Sequence, residues 1–147
     1  GVGKTTTAAN LGAYIADAGK KVLLIDFDPQ GNLSSCVGAD RNQPGIYEVI
    51  VGKTEIGKAI QKSAMEGMDI LSSNINLTGA NVELINLENR EYYLKNSIAE
   101  IKDDYDFLFI DCPPSLGVLT VNGLTAADSV IIPLQCEYFA LEVLACC

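Results

Sequence analysis

The chain has 147 residues, 48% of them hydrophobic and 20% charged, and a net charge of −9. This length and apolar content suffice for one globular domain with a sizeable core and exclude a disordered chain. No apolar run approaches the roughly 20 residues of a membrane-spanning helix and no secretory leader is recognisable, so we expect a cytoplasmic protein without membrane association. The ten basic residues are scattered, and nothing in them indicates contact with a nucleic-acid backbone.

The cysteine pattern excludes a zinc site and disfavours disulfides. The five cysteines show no CxxC spacing, are odd in number and are accompanied by no histidine. In the reducing compartment that we expect, they are interpreted as free thiols. They are Cys36, Cys112, Cys136, Cys146 and Cys147.

The first elements follow from the opening stretch GVGKTTTAANLG. Residues 5–18 carry apolar side chains at helical spacing, and Gly19 suits the left-handed position that ends a helix. KVLLID, residues 21–26, is a continuous apolar run that ends in an acid, which is typical of a parallel strand buried on both faces. The breaker FDPQGN then places Asp28 on a loop at the carboxyl end of that strand.

The middle of the chain is less regular. The pattern predicts one strand between several helices. The strand covers residues 68–73, and the helices cover residues 45–51, 55–63, 78–85 and 90–102.

The last part returns to strong apolar strands. YDFLFID (residues 105–111) and SVIIPL (residues 129–134) read as buried strands, and CPPS breaks the first of them. Residues 116–126 are helical in pattern between them. A further helix is predicted to begin at Tyr138.

Strands that alternate with helices predict an α/β fold, a mostly parallel sheet with helices on both faces. We expect residues 1–147 to form a single domain. In this architecture ligands bind at the carboxyl ends of the strands. The motifs GVGKT, DFDPQ and IDCPP all lie at such ends.

The GVGKT turn partly matches the phosphate-loop pattern GxxxxGK[ST]. Gly3, Lys4 and Thr5 supply its closing GKT, and its first glycine would precede the chain. Glycine N–H groups converge on phosphate oxygens, Lys4 is able to reach the β and γ phosphates, and the Thr5 hydroxyl can ligate Mg²⁺. The structural alternative is a tight turn that begins a helix. The predicted nucleotide-binding residues are Gly1, Val2, Gly3, Lys4, Thr5 and Thr6.

Three acids follow the neighbouring strands. Asp111 ends the FLFID strand, where a phosphate loop requires a carboxylate to hold magnesium through its water shell. Asp26 and Asp28 offer a second acidic site. Each acid taken alone is equally compatible with capping the next turn. The three motifs together, in this order, favour a nucleoside-triphosphate site.

GVGKTTTAANLGAYIADAGKKVLLIDFDPQGN closely resembles the deviant Walker A region of the ParA/Soj partition ATPases, relatives of MinD and the nitrogenase iron protein. FLFIDCPPSLGVLTVNGLTAADSVIIPLQCEYFALEVL resembles the second signature block of that family. DPQGN favours ParA/Soj over MinD-type proteins and iron proteins. The cysteine positions are ordinary for a buried small residue, so we reject an iron–sulfur role.

The resemblance implies roles for single residues. Lys4 would be the phosphate-loop lysine, and Thr6 would help to hold the α phosphate. Asp28 would position the attacking water, so that Lys4 and Asp28 form the catalytic pair. Thr5 would ligate Mg²⁺.

The remaining acids and the switch segment have implied roles as well. Asp111 would be the Walker B aspartate, and Asp26 would support the outer shell of the metal. Pro113, Pro114 and Ser115 would begin the switch that reports the γ phosphate.

The resemblance further implies a Mg²⁺-dependent ATPase that acts in chromosome or plasmid partition, with ATP and Mg²⁺ as its cofactors. Such a protein would form a homodimer on binding ATP, bind DNA non-specifically, associate with the nucleoid and be stimulated by a ParB-like partner. Two alternatives stay open: a MinD-like division-site ATPase, and a nucleotide-gated scaffold without significant turnover.

The sequence also departs from the family pattern. The signature lysine and the first strand would precede Gly1, and the region to which DNA binding is ascribed would follow the last residue. We therefore expect an internal fragment with an incomplete ATPase domain, whose sheet lacks its first strand. Loss of that inner strand would leave unpaired backbone groups on two neighbouring strands.

Overall fold

The computed structural model of the protein describes residues 3–134 and 144–147. The helices of this part are α1 (Gly3–Asp17), α2 (Asn32–Cys36), α3 (Ile46–Ile50), α4 (Ile56–Ala59), α5 (Leu77–Leu84), α6 (Tyr93–Ile98) and α7 (Val118–Ala126). The strands are β1 (Val22–Asp26), β2 (Ile60–Lys62), β3 (Met68–Leu71), β4 (Phe107–Asp111), β5 (Ser129–Ile131) and β6 (Leu144–Cys146).

One sheet of six strands organises the described residues, in the order β2-β3-β1-β4-β6-β5. The central strand β1 pairs in parallel with β3 on one side and with β4 on the other. Strands β1, β3, β4 and β5 run in one direction, and β2 and β6 run against it. Four of the six described strands therefore run in the same direction, which confirms the predicted α/β fold with a mostly parallel sheet.

Helices cover both faces of this sheet. Every residue of β1 is buried, as expected for a strand with a hydrophobic layer on each side. Leu23 and Ile25 point into the layer that holds α3, α5, α6 and α7. Val22 and Leu24 point into the layer that holds α1 and α2. The alternation of side chains along β1 therefore connects the two cores.

Two predicted helices are wrong in part. Residues 55–63 divide into α4 and the strand β2, because the backbone of β2 pairs antiparallel with β3 at the edge of the sheet. Residues 90–102 contain only the short helix α6, preceded by a 3₁₀ turn at Arg90–Tyr92. A second 3₁₀ turn, Lys102–Asp104, leads into the loop before β4.

The expected gap in the sheet is not observed. Strand β6 lies between β4 and β5 and pairs antiparallel with both, with Ala145 opposite Ile110 and Val130. The prediction of unpaired groups on the two neighbouring strands is therefore wrong, because a short antiparallel strand satisfies them. Residues 138–143 of the helix predicted from Tyr138 lie outside the described residues, and residues 144–146 form strand β6 instead of helix.

Two smaller features position the site. Gly19 has φ +88° and its N–H donates to the Ala16 carbonyl, which confirms the predicted left-handed end of α1. Helix α2, which the sequence pattern did not predict, follows the DPQGN loop directly.

No helix in the described ranges is long and apolar enough to cross a membrane.

Candidate active site

The site begins at the first turn of α1, where Lys4 is buried among acids. Its Nζ lies 3.2 Å from Asp111 Oδ1 and 3.6 Å from Asp28 Oδ2. The same ammonium donates a hydrogen bond to the Cys112 carbonyl oxygen. Only 3% of Lys4 is exposed, so its charge depends on these partners rather than on water.

Asp111 joins α1 to the end of β4. Its Oδ2 accepts a hydrogen bond of 2.9 Å from the Thr5 hydroxyl. Its Oδ1 faces the Lys4 ammonium at 3.2 Å. Burial raises the pKa of this carboxyl, and the neighbouring Lys4 charge opposes that rise.

Asp26 lies beside Asp111, because β1 and β4 are parallel and the two acids are paired in register. Its Oδ2 accepts hydrogen bonds from the Ser34 backbone N–H (2.8 Å) and from the Ser34 hydroxyl (2.7 Å). Burial raises the pKa of Asp26 to about 6, against the opposing effect of these hydrogen bonds. Asp26 is thus held on the side of α2 rather than by Lys4.

Asp28 is presented by the tight loop that follows β1. Its Oδ1 accepts from the Gln30 backbone N–H at 3.0 Å, and its carbonyl accepts from the Gly31 N–H at 2.9 Å. Gly31 has φ +68°, a conformation that glycine adopts at little cost. These local bonds turn the second carboxylate oxygen of Asp28 toward Lys4.

The segment after β4 carries the predicted switch residues. Pro113 is buried, whereas Pro114 and Ser115 are exposed. The hydroxyl of Thr120 in α7 donates to the carbonyls of Pro113 (3.3 Å) and Ser115. The start of α7 therefore supports this segment through a residue that sequence reasoning missed. The sequence around Thr120 contains no pattern that would have identified this role, because a threonine within a helix is common.

The structure brings some of the predicted site residues together and leaves others apart. Lys4, Thr5, Asp28 and Asp111 form one cluster of direct contacts. Thr6 is exposed on α1 and is not part of this cluster. Gly1 and Val2 lie outside the described residues. Sequence reasoning also missed Ser34 and Arg41, whose partners are distant in the sequence.

The donor set suits a hard divalent cation. Two carboxylates, those of Asp28 and Asp111, contact the Lys4 ammonium, and Asp26 lies beside Asp111, so these four groups have a formal charge of −2 when all are ionised. The Thr5 hydroxyl and carboxylate oxygens are ligands that Mg²⁺ prefers. Within the described ranges, no group of three His, Cys, Asp or Glu residues forms a metal site by itself. Mg²⁺ usually keeps water and phosphate oxygens among its ligands, so a site with few protein ligands suits it.

Comparison with known proteins places this arrangement in a family. A family model described as an AAA domain matches residues 1–146. The chromosome-partitioning ATPase Soj of Treponema pallidum is 56% identical over 142 residues, which are 97% of this chain and 56% of that protein. The sporulation initiation inhibitor protein Soj of Bacillus subtilis is 48% identical over 147 residues, 99% of this chain and 58% of that protein.

Solved structures also match this chain. Cobyrinic acid a,c-diamide synthase from Mycobacterium smegmatis, with bound ADP and magnesium, superposes with a TM-score of 0.89 at 48% identity, over 94% of this chain and 56% of that one. A plasmid partition protein from Borrelia burgdorferi gives a TM-score of 0.76 at 30% identity, over 87% of this chain and 57% of that one. The chain spans a little over half the length of the relatives it matches. It belongs to the ParA/Soj family of partition ATPases.

Proposed function

We propose that the protein is a Mg²⁺-dependent ATPase of chromosome or plasmid partition. The observation that carries the proposal is the placement of Lys4 between Asp28 and Asp111, with Thr5 bonded to the same Asp111. A phosphoryl-transfer site needs a cation and a hydroxyl at the start of a helix and carboxylates close to them. The names of the Soj relatives supply the cellular role.

Lys4 would bind the nucleotide by exchanging partners. Its charge is now balanced by two buried carboxylates, and the β and γ phosphates of ATP would offer it stronger acceptors at the same helix end. Magnesium, when bound, would neutralise phosphate charge and relieve the excess of carboxylates. Thr5 and Asp111 would hold it, with Asp26 behind them.

Asp28 would position the attacking water. Its Oδ1 is fixed by the Gln30 N–H, while Oδ2 reaches toward Lys4. When the phosphates engage Lys4, that second oxygen becomes available to accept a hydrogen bond from water. The rate of phosphoryl transfer depends mainly on such positioning and on charge neutralisation.

The neighbouring structures support ATP and Mg²⁺ as the ligands. The Mycobacterium smegmatis protein was crystallised with ADP and magnesium, and also with an ATP analogue and magnesium. Its name denotes a synthase, whereas relatives of similar or higher identity are named as partition proteins. We therefore propose partition rather than amide synthesis.

The partners and the location of the complete protein are part of the same proposal. We infer a homodimer on ATP binding, non-specific DNA binding through regions outside this chain, stimulation by a ParB-like protein, and a cytoplasmic, nucleoid-associated location. The partition functions named for the relatives support these inferences.

The test is ATP turnover by the full-length protein with and without DNA, together with equilibrium binding of ATP. Asp28→Ala should reduce kcat by at least about 100-fold while leaving ATP affinity within about threefold, because Asp28 acts on the water. Lys4→Ala should lose both binding and turnover.

Each outcome separates the alternatives. Turnover raised by DNA and lost in both variants supports the ATPase. ATP binding without turnover under every condition would favour a nucleotide-gated scaffold. Unchanged hydrolysis by Asp28→Ala would overturn the role of Asp28, and unchanged hydrolysis by Lys4→Ala would overturn the site.

A further inference from the structure

One arginine connects the Asp28 loop to the neighbouring strand. Arg41 is half-buried beyond α2, and its Nε donates a hydrogen bond of 3.1 Å to the carbonyl of Ser73, just after β3. Its Nη2 donates a bond of 3.2 Å to the carbonyl of Pro29, the residue after Asp28. The two donors of one rigid guanidinium thus join the loop to the carboxyl end of β3.

The guanidinium occupies the space above Gly31. A Cβ added at Gly31 would lie nearer to Arg41 Cζ than a van der Waals contact allows. Gly31 is also buried and has φ +68°. The Arg41 side chain therefore covers the open side of the loop. The positive φ favours glycine at position 31, and a larger side chain there would displace the guanidinium.

A second connection ends on the same residue, Ser73, just after β3. The Ser34 hydroxyl donates to Asp26 Oδ2 at 2.7 Å and accepts from the Ser73 backbone N–H at 2.9 Å. The N–H of Ser73 is thus linked through Ser34 to Asp26, and its carbonyl is linked through Arg41 to the loop that carries Asp28. Ser73 is fully buried, so these bonds are shielded from competing water.

We propose that Arg41 is a positioning residue for ATP hydrolysis, an inference that rests on the proposed function. Arg41 contacts the loop backbone and β3 but none of Lys4, Thr5 or Asp111. It acts through the loop, by holding Asp28 at its present separation from Lys4. A displacement of about 1 Å in such a group costs up to about 100-fold in rate.

The test compares three variants of the full-length protein. Arg41→Ala should lower kcat for ATP about 10- to 100-fold with KM changed less than about threefold, because the nucleotide-binding Lys4 is untouched. Arg41→Lys should recover only part of the loss, since an ammonium lacks the fixed pair of donors. Lys62→Ala is the matched control: this basic side chain is 89% exposed and pairs with Asp69, so kcat should not change.

Hydrogen exchange supplies a readout that does not require turnover. The Gln30 and Gly31 amides, both bonded to Asp28, should exchange faster in Arg41→Ala than in the wild type and in Lys62→Ala. Exchange in the cores of β1 and β4 should stay unchanged.

The outcomes are distinguishable from those of the proposed function. A wild type that binds but does not hydrolyse ATP contradicts the proposed ATPase, and the loop exchange then still decides whether Arg41 holds the loop. Turnover and loop exchange unchanged in Arg41→Ala would overturn the inference. A parallel loss of kcat, ATP affinity and core protection would also overturn it, because that pattern is general destabilisation.

Discussion

At the scale of single residues, the buried charges of the site oppose one another. Lys4 is balanced by Asp28 and Asp111, whereas Asp26 accepts hydrogen bonds from Ser34 and lies beside the acid Asp111, with no ion pair to a basic residue in the described ranges. A buried carboxylate without a cation is disfavoured relative to its protonated form. Asp26 is therefore the group whose protonation most clearly couples to folding.

Asp26→Asn should stabilise the metal-free protein in a pH-dependent way. The pKa of Asp26 rises from 3.8 to about 6 on folding, so its ionisation makes wild-type stability fall between pH 4 and pH 6. Below pH 4 both states are protonated, and above pH 6 both are ionised. The amide oxygen keeps an acceptor for Ser34, so the variant's advantage should grow to about 3 kcal/mol at most by pH 7.

Urea unfolding at pH 4, 5, 6 and 7 in a chelating buffer measures this difference. Asp17→Asn, at an exposed position of α1, is the control and should show no such trend. An advantage of Asp26→Asn that is constant with pH would contradict the raised pKa.

At the scale of elements, α7 packs closely against the turn that follows β4. A Cβ at Gly123 would meet the Cys112 sulfur at less than contact distance, and Cys112 is fully buried. The absence of a side chain at Gly123 lets the helix approach the turn whose carbonyl receives Lys4. Helix and site are therefore coupled through this contact.

Gly123→Ala should destabilise the protein by about 1–3 kcal/mol, because the added methyl group overpacks this contact. Cys112→Ala in the same chain removes the sulfur and should recover most of the loss. Thermal or urea unfolding of both single variants and the double variant measures the coupling. Strictly additive effects would show that the contact is not tight.

The elements β1 and β4 were predictable from long apolar runs, whereas SVIIPL, predicted as a buried strand over residues 129–134, forms only the three-residue β5, whose first two residues are exposed. β1 and β4 lie within the predicted runs because each joins a continuous apolar stretch to an acid and a breaker. Residues 60–62 were not predictable, because their strand state depends on the neighbouring β3 rather than on their own pattern. The same holds for β6, three residues whose pairing comes from the sheet.

At the scale of the whole molecule, an apolar surface adjoins the switch segment. Leu116 is 94% exposed and Val82 is 74% exposed. A groove of about 600 Å³ between α5 and the start of α7 is lined by Ile85, Leu116 and Val121 among others. Exposed apolar residues grouped in this way are typical of an interaction surface. They lie next to Ser115, so this surface suits the proposed ATP-dependent homodimer.

Leu116→Asp should weaken that dimer by at least about tenfold in Kd, because a charge would be buried against an apolar partner surface. The measurement is light scattering after size exclusion with ATP, in the Asp28→Ala background to prevent turnover. Tyr14→Asp is the control, since Tyr14 is 76% exposed on α1, across the sheet from α5 and α7. Equal dimerisation of both variants would exclude this surface.

The sequence by itself determined that three acids would follow strands and that Lys4 would lie at the start of a helix. Lys4, Asp26, Asp28 and Asp111 were identified because apolar runs, breakers and a glycine-rich turn are local signals. The family assignment followed from the same motifs. These signals predict the type and approximate ends of an element where the apolar run is long, and they contain the residues that we propose for the chemistry.

Only the tertiary structure decided how those ends meet. The parallel register places Asp26 beside Asp111, and the partners of Ser34, Arg41 and Thr120 come from elements that are separate in the sequence. Such contacts leave no local pattern, because a hydroxyl or guanidinium can pair with any backbone group brought near it. Strand order and helix packing choose that group, and both are properties of the assembled sheet.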